Sequence, residues 1–247
     1  MSSLSRLPRL HVPAPLRAGG VVCLDKGQCH YLLNVLRLKA GGRARLFNAG
    51  DGEWLCEVTK AGKRQCELLC LEPLPALPAP PDIDYLFAPL KHARLDYMIQ
   101  KATELGARRL RPVFTEFTVA RRVNLERMRA NAVEAAEQCN IVHVPKVLEP
   151  VKFSALMESW DASRALIFCD ESAPIADPVK ALRAVPEGPL AVFIGPEGGF
   201  SERERLTLRS LDFVFPVSLG PRIMRADTAA VAALALVQAV RGDWKEA

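Results

Sequence analysis

A run of prolines divides this chain. Within Leu71–Pro81, prolines stand at 73, 75, 78, 80 and 81; each fixes φ and removes a backbone donor. Neither a helix nor a central strand fits such a segment, so an extended, semi-rigid spacer is expected. The 247 residues therefore read as two domains, residues 1–75 and 76–247, with a linker over about 71–81.

Charge follows the same division. Residues 1–80 carry 11 Lys and Arg against 6 Asp and Glu, whereas residues 81–247 carry 22 of each, so the net +5 lies wholly in the first third. A basic first domain fits either a polyanionic partner, most simply nucleic acid, or a solvated surface. Seven cysteines form no CxxC pair, which speaks against a zinc ribbon or a redox dithiol. Met1-Ser2-Ser3-Leu4-Ser5-Arg6 has no apolar core of a secretory leader. The longest apolar stretch, Ala229 to Val240, is too short for a bilayer and reads as a buried helix. Reduced thiols, a cytoplasmic location, no membrane partner and no metal are the expectations.

The first domain reads as short strands over 20–24, 44–47, 53–58 and 65–70, separated by glycine turns and interrupted by one helix from about His30 to Leu38. Strands so spaced close into a small barrel. The second domain alternates strand and helix: strands over 85–88, 109–114, 165–169, 190–194 and 212–217, helices over about 95–105, 124–139 and 227–240. Gly106 reads as a helix stop and Asn124 as a cap, and Ser201 with Glu204 has capping-box spacing. The runs 165–169 and 190–194 are continuously apolar, as strands buried on both faces are. Such alternation defines an α/β domain with a mainly parallel sheet.

Two glycine-bearing turns follow apolar strands in this domain: Ile194-Gly195-Pro196-Glu197-Gly198-Gly199 and Leu219-Gly220-Pro221-Arg222-Ile223-Met224-Arg225. Glycine lets backbone approach a ligand without a Cβ clash, and loops at the carboxyl ends of strands are where open α/β sheets bind ligands. Neither turn matches GxGxxG or the Walker pattern, which disfavours NAD and ATP. One adenosine-type cofactor gripped from two sides is the reading. Arg222 and Arg225 open a helix whose dipole repels them. They serve either an anionic substrate, as guanidinium often does, or ion pairs with Asp227 or Glu197.

These motifs resemble the SPOUT (trefoil-knot) methyltransferases, and within them the RsmE family, which methylates N3 of a uridine in small-subunit (16S) ribosomal RNA. The resemblance spans nearly the whole chain and five motifs in order: His30-Tyr31-Leu32-Leu33-Asn34-Val35-Leu36-Arg37, Gln100-Lys101-Ala102-Thr103-Glu104-Leu105-Gly106, Glu137-Gln138-Cys139 with Val144-Pro145 downstream, and the two glycine turns. It implies a PUA-like RNA-binding β-barrel followed by an α/β trefoil-knot domain whose knot holds S-adenosylmethionine, and a homodimer acting on ribosomal RNA or the small subunit. It places the cofactor on Ile194, Gly195, Pro196, Glu197, Gly198, Gly199, Ser218, Leu219, Gly220, Ile223, Met224 and Thr228. Catalysis falls to Arg225 and Arg222, with Glu197 or Asp227 orienting Arg225, and RNA binding to His30, Arg37, Arg121 and Arg122. The alanines 229, 230, 233 and 235 would suit close helix packing between subunits. Three positions depart from the family pattern: Phe117 follows Thr115-Glu116 where an arginine is usual, Ile141 and His143 stand where an arginine follows Glu-Gln, and Asp227 replaces a glutamate. A SPOUT enzyme for another RNA or base, and a non-catalytic RNA-binding knot, are the competing readings.

Overall fold

The computed structural model describes residues 3–62, 65–75, 79–174 and 177–246. The chain divides into two compact units, Met1–Ala79 with Ala136–Val144, and Pro80–Ala135 with Pro145–Ala247.

The first unit contains strands β1 (Arg9–His11) and β2 (Val21–Cys23), helix α1 (Lys26–His30), and strands β3 (Arg43–Asn48), β4 (Gly52–Gly62) and β5 (Gln65–Leu74). They form one sheet in the order β1-β3-β4-β5-β2. Leu10 on one edge strand and Val22 on the other share a single apolar cluster with Ala44, Leu46, Cys56, Val58 and Leu68, so the sheet rolls around its core. Period-two alternation sends the intervening residues to the outer face. There Phe47 packs with Ala136 and Val142 of the returning segment 136–144.

Two sequence expectations change here. The helix expected from His30 to Leu38 begins earlier, at Lys26, because Asp25 and Gln28 form a capping box. It continues as a π-helical turn over Tyr31–Val35, and Arg37 at φ 57 breaks it. The extended segment expected from Leu71 is strand as far as Leu74, with Pro73 opposite Trp54. β2 covers only Glu67 to Leu69 of β5. Beyond that β5 is locally an edge, where a proline is tolerated.

The second unit runs β6 (Ile83–Phe87), α2 (His92–Glu104), β7 (Arg109–Phe114), the start of α3 (Leu125–Gln138), β8 (Lys146–Val147), β9 (Val151–Lys152), α4 (Phe153–Glu158), β10 (Ala165–Cys169), α5 (Pro178–Arg183), β11 (Leu190–Ile194), α6 (Glu202–Arg209), β12 (Val214–Val217) and α7 (Ala226–Arg241). The sheet order is β12-β10-β11-β6-β7-β8, with β9 also on β7. All its pairings are parallel. Every residue of β6 and of β11 is buried, as a sheet covered on both faces requires. Tyr85 stacks on Phe87 on one face, while Leu86 joins Val113, Phe168 and Phe193 on the other.

α7 packs its small residues inward. Ala230 and Ala233 are buried with Leu234 and Val237, which removes both alanines from the intersubunit role the sequence reading gave them. Buried Gln238 donates from Nε2 to the Leu105 carbonyl at 2.6 Å, tying α7 to the end of α2.

Candidate cofactor cleft and its charged rim

Parallel pairing dictates where a ligand can sit. Phe168 lies opposite Phe193 and Cys169 opposite Val217, so β10, β11 and β12 end at one edge of the sheet. The segments that leave those ends enclose a cleft of about 590 Å³, walled by Cys169–Glu171, by Ile194–Glu197 with Gly199 and Phe200, and by Leu219, Gly220 and Arg222–Ala226. Arg94, Arg205 and Ala229 complete it. The volume falls within the roughly 300–1,000 Å³ usual for small-molecule sites.

Two glycines are required by the geometry. A Cβ on Gly195 would lie 2.7 Å from the Phe200 ring. That ring is wedged edge-on against Phe168 and Phe193, with centroids 5.0 and 4.9 Å away. Gly220 has φ 103 and only open space where a Cβ would stand, so its bare backbone is free for close approach. Behind the first turn, Ser201 and Glu204 form the expected capping box. Glu204 also accepts from Glu116 N at 2.9 Å, fixing the loop after β7 against α6.

Charge on the rim is sorted into groups. Arg94, in the first turn of α2, donates to Asp227 through Nε at 2.9 Å and Nη2 at 2.8 Å. It also pairs with Glu197. Arg94's hydrogen bonds hold the Asp227 carboxyl below its ordinary range, against the opposing effect of burial. Across the cleft, Asp170 is buried and pairs with Arg205 and Arg209. Among the described residues Arg222 and Arg225 form no ion pair, although both line the cleft. Burial, and then Asp170, push the Cys169 thiol up to about 12, so at neutral pH it is an uncharged part of the wall.

Of the residues the sequence assigned to cofactor binding, Ile194, Gly195, Pro196, Glu197, Gly199, Leu219, Gly220, Ile223 and Met224 line the cleft. Gly198, Ser218 and Thr228 are not among its lining. Gly198 backs onto Phe117, Ser218 Oγ accepts from Gly220 N at 3.3 Å, and Thr228 N donates to Asp227 at 3.0 Å. The carboxylates expected to orient Arg225 are taken by Arg94 instead. Sequence reasoning missed Arg94, Asp170 and Arg205. The end of β10 could have indicated Asp170, because a parallel neighbour of β11 must finish at the same edge.

The RNA candidates lie elsewhere. Arg121 and Arg122 line a groove of about 860 Å³ with Lys91 and Arg127. In the first unit His30 and Arg37 are exposed beside exposed Tyr31, Val35 and Leu36. No group of three potential metal ligands occurs among the described residues. No helix among them is long and apolar enough to cross a membrane.

The chain thus joins an all-parallel α/β unit, with a glycine-walled cleft at its carboxyl edge, to a small β unit. The chain belongs to the RNA methyltransferase family: the model for the RNA methyltransferase domain matches residues 77–238 and that for the RNA methyltransferase PUA domain residues 24–69. It is similar to ribosomal RNA small subunit methyltransferase E of Bacillus subtilis, 31% identical over 87% of this chain and 90% of that one. The corresponding protein of Synechocystis is 31% identical over 89% and 73%. Among solved structures, ribosomal RNA small subunit methyltransferase E from Neisseria gonorrhoeae, bound to S-adenosyl methionine, superposes with a TM-score of 0.88 at 26% identity over 97% of this chain and all of that one. The fold class expected from sequence, an α/β methyltransferase domain preceded by a PUA-like β domain, holds.

Proposed function

We propose that this protein uses S-adenosylmethionine to methylate N3 of a uridine in small-subunit ribosomal RNA. The observation that carries the proposal is the cleft itself: two bare glycine turns at a parallel sheet edge, beside two arginines without ion-pair partners among the described residues. The wall suits the cofactor chemically. Ile194, Pro196, Leu219, Ile223 and Met224 offer apolar surface to a nucleoside, backbone at Gly195 and Gly220 allows close contact, and Glu171 and Glu197, though each is paired with an arginine, keep exposed carboxylate surface towards a cationic group. When bound, S-adenosylmethionine supplies an electrophilic methyl group, so the protein's main task is to position the partners.

Uridine N3 carries a proton at neutral pH. The chain must favour the N3 anion, whose charge spreads to the flanking carbonyls. Arg225 is assigned to the reacting base and Arg222 to the same anionic substrate, acting electrostatically. Arg121 and Arg122 in their groove, and His30 and Arg37 in the first unit, are assigned to RNA. The basic excess of residues 1–80 supports that first-unit role. Residues 1–75 are read as the RNA-binding domain and 76–247 as the methyltransferase domain. A homodimer with the cofactor site at a knotted subunit boundary, in the cytoplasm, completes the reading.

The test is to incubate the purified protein with unmodified small-subunit ribosomal RNA and labelled methyl donor, then digest to nucleosides. 3-Methyluridine is the expected product. Label in another nucleoside would overturn the base assignment, and its absence from RNA, free or in assembled subunits, would overturn the reaction.

A further inference from the structure

Glu197, Asp227 and three of the arginines at the cleft, Arg94, Arg222 and Arg225, are unequally partitioned. Arg94 takes both Glu197 and Asp227, and none is left for Arg222 or Arg225. Nearness in the chain and in the cleft would equally allow the opposite arrangement. Arg225 is the N-cap of α7, two residues before Asp227, and it lines the same cleft as Glu197. Arg94 prevails through geometry: its fork meets Asp227 with two donors, at 2.9 and 2.8 Å, and such bidentate pairing outcompetes a single contact. Arg94 reaches the rim from α2, whose end is locked to α7 through Gln238 and Leu105.

We propose that Arg94 is a positioning residue: by holding Glu197 and Asp227, it keeps Arg222 and Arg225 unpaired and available to the anionic RNA. This rests on the RNA-methylation reading above. Without Arg94, two carboxylates would stand uncompensated on the rim beside the substrate arginines. They would pair with those arginines and repel the RNA backbone.

The test uses RNA binding without methyl donor, so it does not depend on turnover. Affinity for unmodified small-subunit ribosomal RNA is measured across a salt series, whose slope counts ionic contacts at about 0.7 to 0.9 per phosphate neutralised. Arg94→Ala is expected to weaken binding at least tenfold and to flatten the slope. Arg94→Ala combined with Glu197→Gln and Asp227→Asn is expected to restore both, although Arg94 is still missing. Glu197→Gln with Asp227→Asn alone frees Arg94 as an additional cation and is expected to tighten binding and steepen the slope; this variant keeps the test decisive if Arg94→Ala does not fold. Wild-type binding by Arg94→Ala, failure of the triple variant to recover, or weaker binding by the double variant would each overturn the proposal. If the wild-type chain binds RNA with no salt dependence, the RNA reading itself fails and the inference falls with it. Wild-type salt-dependent binding with unresponsive variants removes the Arg94 role alone.

Discussion

Phe200 occupies the space that a side chain on Gly195 would need, with ring carbons 2.7 and 2.9 Å from the position of a Cβ. Phe168 and Phe193 hold the ring on two sides, so it has little room to withdraw. Gly195→Ala is expected to cost about 1–3 kcal/mol, as overpacking does. Thermal denaturation should show a lowered Tm, and titration with S-adenosylmethionine a weakened affinity, because the displaced ring lines the cleft.

Arg225→Ala should behave in the opposite way. Arg225 is exposed and without an ion-pair partner among the described residues, so its removal should leave Tm nearly unchanged. If it stabilises the N3 anion, kcat should fall by about 100-fold, the scale of one lost electrostatic donor. Steady-state methylation kinetics beside a melting curve give both readings.

Arg9 carries stability in the first unit. Its side chain is 2% exposed and its Nε donates to Glu53 at 2.8 Å. It lies 3.6 Å above the Phe47 ring centre and donates to the carbonyls of Ala136 and Ile141. Arg9→Met takes a donor from each of those carbonyls, leaving Ala136 O the Ile141 N at 3.2 Å, and among the described residues leaves Glu53 with Arg45 alone, at 3.3 Å. Breaking a buried pair from one side costs about 3–5 kcal/mol, and denaturant titration of the full chain should show a loss of that size. Arg9→Met with Glu53→Gln should lose less.

His11 gives that unit a pH dependence. Burial, and then the charge of Arg9, hold its imidazole below the ordinary 6.5. The unfolded chain therefore binds the proton at a pH where the folded chain does not. This contribution to stability is complete above 6.5 and is lost as pH falls from there to the folded value. His11→Gln should flatten that part of the stability profile in denaturant titrations run between neutral and mildly acidic pH.

What the sequence disclosed was local. The strands at 165–169 and 190–194 have their expected bounds, since continuous apolar runs between turn residues leave little choice, and so does the mixed strand at 109–114. The Ser201–Glu204 box was legible because its partners stand three apart. The equivalent box at Asp25 and Gln28 carried the same signal and was passed over, which moved α1. The partition of charge on the rim was not legible, because Arg94 and Asp227 are 133 positions apart and nearer pairings looked equally good. Nor was the cover over Arg9, whose acceptors lie 127 and 132 positions away.

That last separation bears on how the protein is made. The outer face of the β1-β3-β4 sheet, with Arg9 and Phe47, is closed by residues 136–144. During synthesis every strand of that sheet leaves the ribosome well before its cover, so this face stays wet until residue 144 has emerged. The first unit cannot finish first, as domains made in order ordinarily do; it must wait for residues 136–144, past the midpoint of the chain, to be translated.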